Sequence, residues 1–255
     1  MATFKVILGE CEPVLAELPS KGVAIITDPP YGISLETDYR ANQRGKLAQC
    51  NDFPRIHGDD RPFDPAHLLR FEAVVLFGAN HFADKLPQSS GWFIWDKRDG
   101  MSSNDQSDCE LAWTNRQRAA RIFRHRWNGM IKASEKDSRR VHPTQKPVAL
   151  FKWVITQLQL PQDTLIVDPY LGSGPCGVAA GELGYNFLGV EIVEQYYKAA
   201  VKRISAAFAQ PLLFNHSRTQ QSRAGDGASA LSVSQDNPGP ASVTGRSTSD
   251  SSRRA

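Results

Sequence analysis

The chain has 255 residues and a formal net charge of +3, from 30 Lys and Arg against 27 Asp and Glu. This length is enough for one sizeable hydrophobic core. The sequence shows neither a signal peptide nor a long apolar run, which argues against export and a membrane span and favours a cytoplasmic protein. The four cysteines lack Cys-x-x-Cys spacing, so we expect reduced thiols and no metal site.

Short apolar runs alternate with helical patterns along the chain. Predicted strands cover 4–8, 23–27, 74–78, 92–95, 109–113, 164–168 and 186–190, and predicted helices cover 14–18, 151–158, 175–183 and 195–207. Such alternation predicts an α/β fold with a mostly parallel sheet that is covered on both faces.

Residues 215–255 differ in composition from the rest of the chain. They contain many serines and no Phe, Tyr or Trp. Such a stretch buries too little apolar surface to offset the entropy lost on ordering. We therefore predict one domain over 1–210 and a disordered, Ser-rich tail over 215–255.

The segment directly after the second predicted strand carries the strongest functional signal. It consists of Asp28, Pro29, Pro30 and Tyr31. Open α/β sheets bind ligands at the carboxyl ends of their strands, and the two prolines remove backbone donors. A carboxylate, free carbonyls and an aromatic ring together suit a planar substrate with an exocyclic amine. An ordinary Pro-Pro turn is the alternative interpretation.

A second signal lies at 164–177, where an apolar strand runs into a glycine-rich turn. Glycines let the backbone approach a ligand closely, and Glu191, which ends the next strand, is placed to bind ribose hydroxyls. The turn also matches the dinucleotide pattern Gly-x-Gly-x-x-Gly at Gly172, Gly174 and Gly177. An NAD-dependent oxidoreductase is therefore a competing interpretation of this segment alone.

Together the motifs resemble those of the DNA amino-methyltransferases, which move a methyl group from S-adenosylmethionine to an exocyclic base nitrogen. Residues 28–31 match the family's catalytic motif, and 168–174 match its cofactor motif. Residues 142–147, His-Pro-Thr-Gln-Lys-Pro, resemble a further cofactor segment. This circularly permuted order is that of the β subgroup, and the resemblance covers roughly 4–205. It implies a Rossmann-like S-adenosylmethionine-dependent methyltransferase fold with seven strands, one of them antiparallel.

The resemblance implies site-specific methylation of duplex DNA, as in restriction-modification enzymes. The target base is expected to flip out of the duplex and stack on Tyr31, while Asp28 and the Pro29 carbonyl accept hydrogen bonds from its amine. Asp at position 28 favours adenine N6, with cytosine N4 as the alternative. The residues expected to bind the cofactor are Asp168, Pro169, Gly172, Ser173, Gly174, Glu191, Thr144 and Lys146.

Basic charge is concentrated between 115 and 141, where nine Lys and Arg outnumber two acids. Clustered basic residues attract phosphates, although most charge runs are solvated surface. In the family this stretch recognises the target, which favours DNA contact. We also predict a mobile loop over 35–62 that closes over the displaced base. The predicted DNA-binding residues are Arg116, Arg118, Arg121, Arg124, Arg126, Trp127, Arg139 and Arg140.

Four points are less constrained by the sequence. A DNA-binding module that has lost turnover is a remote alternative function. A homodimer is left open, by analogy with the family alone. The nucleoid, or the host cytoplasm for a phage-encoded protein, is the expected location. Pro175 and Cys176 mimic the Pro-Cys nucleophile of C5-cytosine methyltransferases, but their place inside the cofactor turn favours a structural thiol.

Overall fold

The computed structural model describes residues 2–37, 53–101, 107–128, 131–135 and 141–210. Several predictions fall outside these ranges. They concern Arg139, Arg140, the middle of the loop over 35–62 and the tail over 215–255. The division into a domain over 1–210 and a tail therefore stays a prediction.

Eight strands form one sheet in the order β1-β10-β9-β2-β3-β5-β4-β6. Five of the seven neighbouring pairs are parallel, and β5 is antiparallel to both of its neighbours. β7 and β8 form a separate antiparallel pair. The strands are β1 (Phe4–Leu8), β2 (Val23–Thr27), β3 (Ala73–Phe77), β4 (Trp92–Asp96), β5 (Cys109–Thr114), β6 (Arg121–Arg124), β7 (Trp127–Asn128), β8 (Ile131–Lys132), β9 (Leu165–Asp168) and β10 (Asn186–Glu191).

Helices cover both faces of the sheet because the central strands are apolar on both sides. Along β2, Ile26 packs into the core on one face and Ile25 into the core on the other. The first core also holds residues of α2, α3 and α4, and the second holds residues of α1 and the short 3-10 turns. The helices are α1 (Cys11–Ala16), α2 (Val148–Leu158), α3 (Pro175–Glu182) and α4 (Glu194–Phe208), and the 3-10 turns are Ala66–Leu68, Ala79–His81 and Ala83–Lys85.

The predicted fold class is confirmed, with one correction to the sheet. The seven predicted strands are all present, and the antiparallel one is β5. An eighth strand, β6, extends the edge beside β4, and it comes from the basic segment that we predicted to be a DNA-binding stretch. None of the helices in the described ranges is long and apolar enough to cross a membrane.

Candidate active site

The carboxyl ends of β2, β9 and β10 open into a cavity of about 910 Å³. Parallel strands bring their ends to one edge of the sheet, so two motifs that are distant in sequence share this cavity. The glycine half of the cavity consists of residues 168–174 and Glu191, and all of these except Gly174 line it. The tyrosine half consists of residues 28–31 with Lys146, all of which line the cavity.

The glycine half is shaped by the turn between β9 and α3. Gly172 and Gly174 adopt positive φ angles of 53° and 77°, a conformation that favours glycine. Helix α3 then begins at Pro175, a position whose N–H would have no partner within the helix, so proline loses no hydrogen bond there. Arg203 of α4 fixes the turn from outside, since its guanidinium donates to the Ser173 carbonyl at 2.7 Å. No sequence pattern had indicated a role for Arg203.

Glu191 is held in place by backbone donors. Its two carboxylate oxygens accept the N–H groups of Gly172 at 2.7 Å and Val193 at 2.8 Å. Burial raises the pKa of Glu191, and these N–H groups oppose that rise. Each carboxylate oxygen has two acceptor positions, so this side chain retains capacity for ligand hydroxyls. This geometry fits the predicted role.

Asp168 is a buried carboxylate at the inner end of the glycine half. Its Oδ1 accepts the Thr27 hydroxyl at 2.6 Å and the Tyr170 N–H at 3.3 Å. Burial raises the pKa of Asp168 to about 7, and the two donors lower it less than burial raises it. A cation in the neighbouring cavity would stabilise the ionised form.

The segment 142–146 lies over the glycine turn and joins the two halves. His142 packs edge-on against Tyr196 at 4.3 Å between ring centroids, and its Nδ1 lies 3.2 Å from the Thr144 hydroxyl. Thr144 lines the cavity as predicted. Lys146, which we expected beside the cofactor, instead extends into the tyrosine half. The cofactor role predicted for Lys146 therefore does not follow from its position.

In the tyrosine half, the side chains of Asp28, Tyr31 and Lys146 all contact one another. The Tyr31 hydroxyl donates to Asp28 Oδ1, and the Lys146 ammonium contacts Asp28 Oδ2 and lies 3.0 Å from the Tyr31 oxygen. His81 stacks on the Tyr31 ring at 5.0 Å and 13°. Gly78, at φ 67°, touches the ring so closely that a Cβ would lie 2.0 Å from Tyr31 Cε1. The plane of the ring is therefore fixed by its neighbours.

Two charged residues behind this half were not predicted. The Lys146 ammonium lies 3.1 Å from Glu110 Oε2, and Lys97 Nζ lies 3.1 Å from Glu110 Oε1. Glu110 reaches the site because β5 runs antiparallel, which puts its first residues at the carboxyl edge of the parallel strands. A lone acid within a predicted apolar strand was the available sequence signal.

Burial and charge act on these groups together. Burial raises the pKa of Asp28, and Lys146 opposes that rise. Burial disfavours the ionised form of Glu110, but the charges of Lys146 and Lys97 lower its pKa overall. Burial disfavours the Lys146 ammonium, but Asp28 and Glu110 raise its pKa well above the usual value. Lys146 is therefore a cation held between two carboxyl groups.

The basic segment does not form one surface, which corrects part of the DNA-binding prediction. Arg116 and Arg118 follow β5 at the end of the sheet where the parallel strands begin, which is opposite the cavity. Arg118 donates to the Gln157 carbonyl at 2.5 Å. Trp127 is only 6% exposed, and its indole N–H donates to the Gln145 carbonyl at 2.9 Å. Its burial and this bond give Trp127 a structural role instead of a DNA contact.

The other described arginines of this segment lie differently. Arg121 is exposed where β6 begins, and Arg124 is exposed at its end, on the cavity edge, 3.7 Å from Asp96. Arg126 follows β6 on the same edge and is partly buried. Of the predicted set, Arg124 and Arg126 therefore lie at the same end of the sheet as the catalytic motif, although β6 is four strands away from β2.

Hydrogen bonds join the two described ends of the segment that follows the catalytic motif. Asp59 is 4% exposed, and its carboxylate accepts the N–H groups of Gly32 at 2.8 Å and Leu35 at 2.7 Å. The Thr37 hydroxyl donates to the Phe53 carbonyl at 3.1 Å. These bonds join the two described ends of the segment over 35–62 beside Tyr31.

Cys176 has the surroundings of a structural thiol. It is fully buried, its Sγ–H donates to the Ile26 carbonyl at 3.4 Å, and burial raises its pKa well above the usual value. A reactive cysteine needs the opposite shift. No group of three or more potential metal ligands occurs among the described residues.

Comparison with known proteins identifies the family. A DNA methylase family model covering N6 and N4 amino-methyltransferases matches residues 94–202. A putative methylase of Escherichia coli (strain K12), YubD, is 39% identical over 223 residues, which are 78% of this chain and 89% of that protein. The chain belongs to this DNA methylase family. Membership of this family implies S-adenosylmethionine as the cofactor, as predicted.

Solved structures support the fold. The M1.HpyAVI–SAM complex matches with a TM-score of 0.51 at 19% identity and covers 79% of this chain and 99% of that one. The PvuII DNA methyltransferase, described as cytosine-N4-specific, matches with a TM-score of 0.53 at 14% identity and covers 82% of this chain and 92% of that one. At such identities the likeness concerns the fold alone.

Proposed function

We propose that this DNA methylase transfers the methyl group of S-adenosylmethionine to adenine N6 in duplex DNA, at a specific sequence and after base flipping. One observation carries the proposal: the Asp28–Tyr31 motif and the Asp168–Glu191 glycine unit face a single cavity at one edge of the sheet. That arrangement brings a hydrogen-bond acceptor for an amine next to a site for a methyl donor.

The glycine half suits S-adenosylmethionine in charge and in hydrogen bonding. Bound there, the cofactor supplies a methyl group on a positively charged sulfur. Asp168 is a buried carboxyl group with a raised pKa, which a positively charged ligand beside it would keep ionised. Glu191 has acceptor positions left for the two ribose hydroxyls. We assign Pro169, Gly172, Ser173, Gly174 and Thr144 to the same subsite because they line the cavity or shape its turn.

The tyrosine half suits the target base. Asp28 and the Pro29 carbonyl accept the two N–H bonds of the amine and so direct its lone pair towards the methyl group. Tyr31 offers an aromatic face, and stacking of a base on such a ring is worth about 1–3 kcal/mol. With the cofactor bound, methylation would leave one proton in excess on the amine nitrogen, and Asp28, as the acceptor of that N–H, would take it up or pass it to water. Positioning supplies most of the acceleration in such a transfer.

DNA reaches this cavity past the carboxyl edge of the sheet. We assign phosphate contacts to Arg124 and Arg126, which lie on that edge, and give Arg121 a lesser role. Arg116 and Arg118 lie at the opposite edge and are not assigned. Contacts of this kind position the duplex, whereas base contacts select the sequence.

The direct test is methylation of mixed-sequence duplex DNA with S-adenosylmethionine, followed by digestion to nucleosides and mass analysis. We expect N6-methyladenine from the wild-type protein and none from Asp28→Ala, which should still bind the cofactor. N4-methylcytosine would keep the reaction class and overturn the base assignment. Absence of any methylated base from cofactor-bound, folded protein would overturn the proposal in favour of a silent DNA-binding module.

A further inference from the structure

The carboxylate proposed to receive the target amine is already in contact through both of its oxygens. Asp28 Oδ1 accepts the Tyr31 hydroxyl, and Asp28 Oδ2 contacts the Lys146 ammonium. An incoming amine N–H needs one of these oxygens. The amine N–H must therefore either share an oxygen with one of these donors or replace that donor.

Lys146 is the partner that can leave, because a second carboxylate is within reach. Its Nζ lies 3.1 Å from Glu110 Oε2, a distance at which the two charges attract without rearrangement of the backbone. That oxygen is buried and has no other hydrogen-bond partner within the described part of the chain. Lys146 is only 4% exposed, so water cannot replace a lost partner.

Charge balance decides where the ammonium goes. A buried cation that loses its only partner costs several kcal/mol, so Lys146 can release Asp28 only if another anion keeps it paired. Glu110 is that anion. Lys97, 3.1 Å from Glu110 Oε1, keeps Glu110 ionised, so the four groups carry two charges of each sign.

We propose that Lys146 and Glu110 form an exchange pair that controls access to Asp28. Before DNA binds, Lys146 holds Asp28. When the flipped base arrives, the ammonium releases Asp28 and stays paired with Glu110, and one Asp28 oxygen accepts the amine N–H. Glu110 is thus a positioning residue that acts through Lys146 and does not touch the substrate. This inference rests on the proposed methylation of an exocyclic amine by the same cavity.

The test is a set of single-turnover methylation rates, measured with saturating cofactor and duplex DNA. Glu110→Gln should lower the rate by about tenfold or more, because Lys146 then remains on Asp28. Its cofactor affinity should stay within about twofold of wild type, since Glu110 lies outside the glycine half. Glu182→Gln is the matched control: it removes an acid 2.8 Å from Lys152 on the surface and should leave the rate unchanged.

A double variant separates the exchange from a merely structural role. In a Lys146→Met background there is no ammonium to move, so Glu110→Gln should cause little further loss. Lys146→Met alone should make the rate rise with pH, because Asp28 is then buried without its cation. Glu110→Asp, which keeps the charge, should recover part of the wild-type rate.

The outcomes distinguish this inference from the proposed function. Wild-type rates in Glu110→Gln would overturn the exchange pair and leave the methyltransferase intact. Independent, multiplying losses in the double variant would also overturn it. If the wild-type protein methylates neither adenine nor cytosine, the proposed function is wrong and the exchange pair falls with it. Thermal unfolding and cofactor binding of each variant identify any that has failed to fold.

Discussion

The two halves of the cavity hold their charged groups in different ways. In the glycine half, backbone N–H groups hold Glu191 and contribute to holding Asp168, so that half is formed before any ligand arrives. In the tyrosine half, Asp28, Tyr31 and Lys146 hold one another. Backbone donors cannot leave, whereas side chains can exchange partners. The comparison therefore predicts a rigid binding site for the methyl donor. Beside it lies a binding site for the target base in which side chains exchange partners.

The largest effect is expected in the glycine half, from Asp168→Asn. The folded protein raises the pKa of Asp168 from 3.8 to about 7, so ionisation of this carboxyl destabilises the fold above pH 3.8. The penalty grows up to about pH 7 and is then constant, with an upper value of about 4 kcal/mol. Asn keeps an acceptor for Thr27 without the charge.

We therefore expect Asp168→Asn to unfold at a higher temperature than wild type at about pH 8 and at nearly the same temperature at about pH 4. The same variant should bind S-adenosylmethionine more weakly. Thermal unfolding at the two pH values checks the first expectation. An equal shift at both would show that Asp168 is not the titrating group.

The next effect concerns the rigid support of the tyrosine half. Gly78→Ala places a methyl group 2.0 Å from Tyr31 Cε1 and must displace the ring. Misplacement of a reacting group by about 1 Å costs on the order of 100-fold in rate, so methylation should fall by about that factor. Cofactor binding should not change.

Gly22→Ala is the control for Gly78→Ala. Gly22 has a similar φ of 72°, but a Cβ there meets nothing within 4 Å. This variant should share the backbone strain and keep the methylation rate. Equal losses of rate in the two variants would assign the effect to strain and not to Tyr31.

A smaller effect is expected from Glu191→Gln. The amide group of Gln has one acceptor, so its NH₂ must face the N–H of either Gly172 or Val193. We expect cofactor affinity to fall by about tenfold, as for one lost charged hydrogen bond. Isothermal titration measures it, with the exposed Glu194→Gln, 2.7 Å from Lys198, as the unaffected control.

The smallest effect tests the two edges of the sheet. Arg124→Ala should weaken DNA binding a few-fold and reduce its salt dependence by about one counterion. Arg116→Ala, at the opposite edge, should change neither. Fluorescence anisotropy with labelled duplex at several salt concentrations measures both. A larger loss from Arg116→Ala would place the DNA across the edge that we left unassigned.

Local patterns predicted most of the fold and much of the site. The residues at the ends of β2, β9 and β10 could be placed together because parallel strands end at one edge, whatever their separation in sequence. Lys146 and Glu110 could not be paired in the same way. Their meeting depends on the reversed direction of β5, which no pattern within the strand specifies.

In the basic segment over 115–141, the sequence pattern predicted one shared surface that the structure does not form. Charge content alone predicted one DNA-binding stretch, but it does not report which residues form an edge strand. Four residues of that segment became β6, and Trp127 was drawn into the core. As a result, Arg116 and Arg118 lie at the end of the sheet opposite the cavity, whereas Arg124 lies at the cavity end. Arginines that are close in sequence are therefore separated in the folded protein.

The contact between the first strand and the last helix has a topological consequence. β1 pairs in parallel with β10, and Phe4 of β1 packs on Phe208 of α4 at 4.9 Å between ring centroids. The first strand and the end of the last helix therefore lie side by side, and a short linker would join them. The linear order of the motifs then records only where the chain is opened. A chain joined here and opened at another surface turn would present the glycine unit first and still build the same cavity.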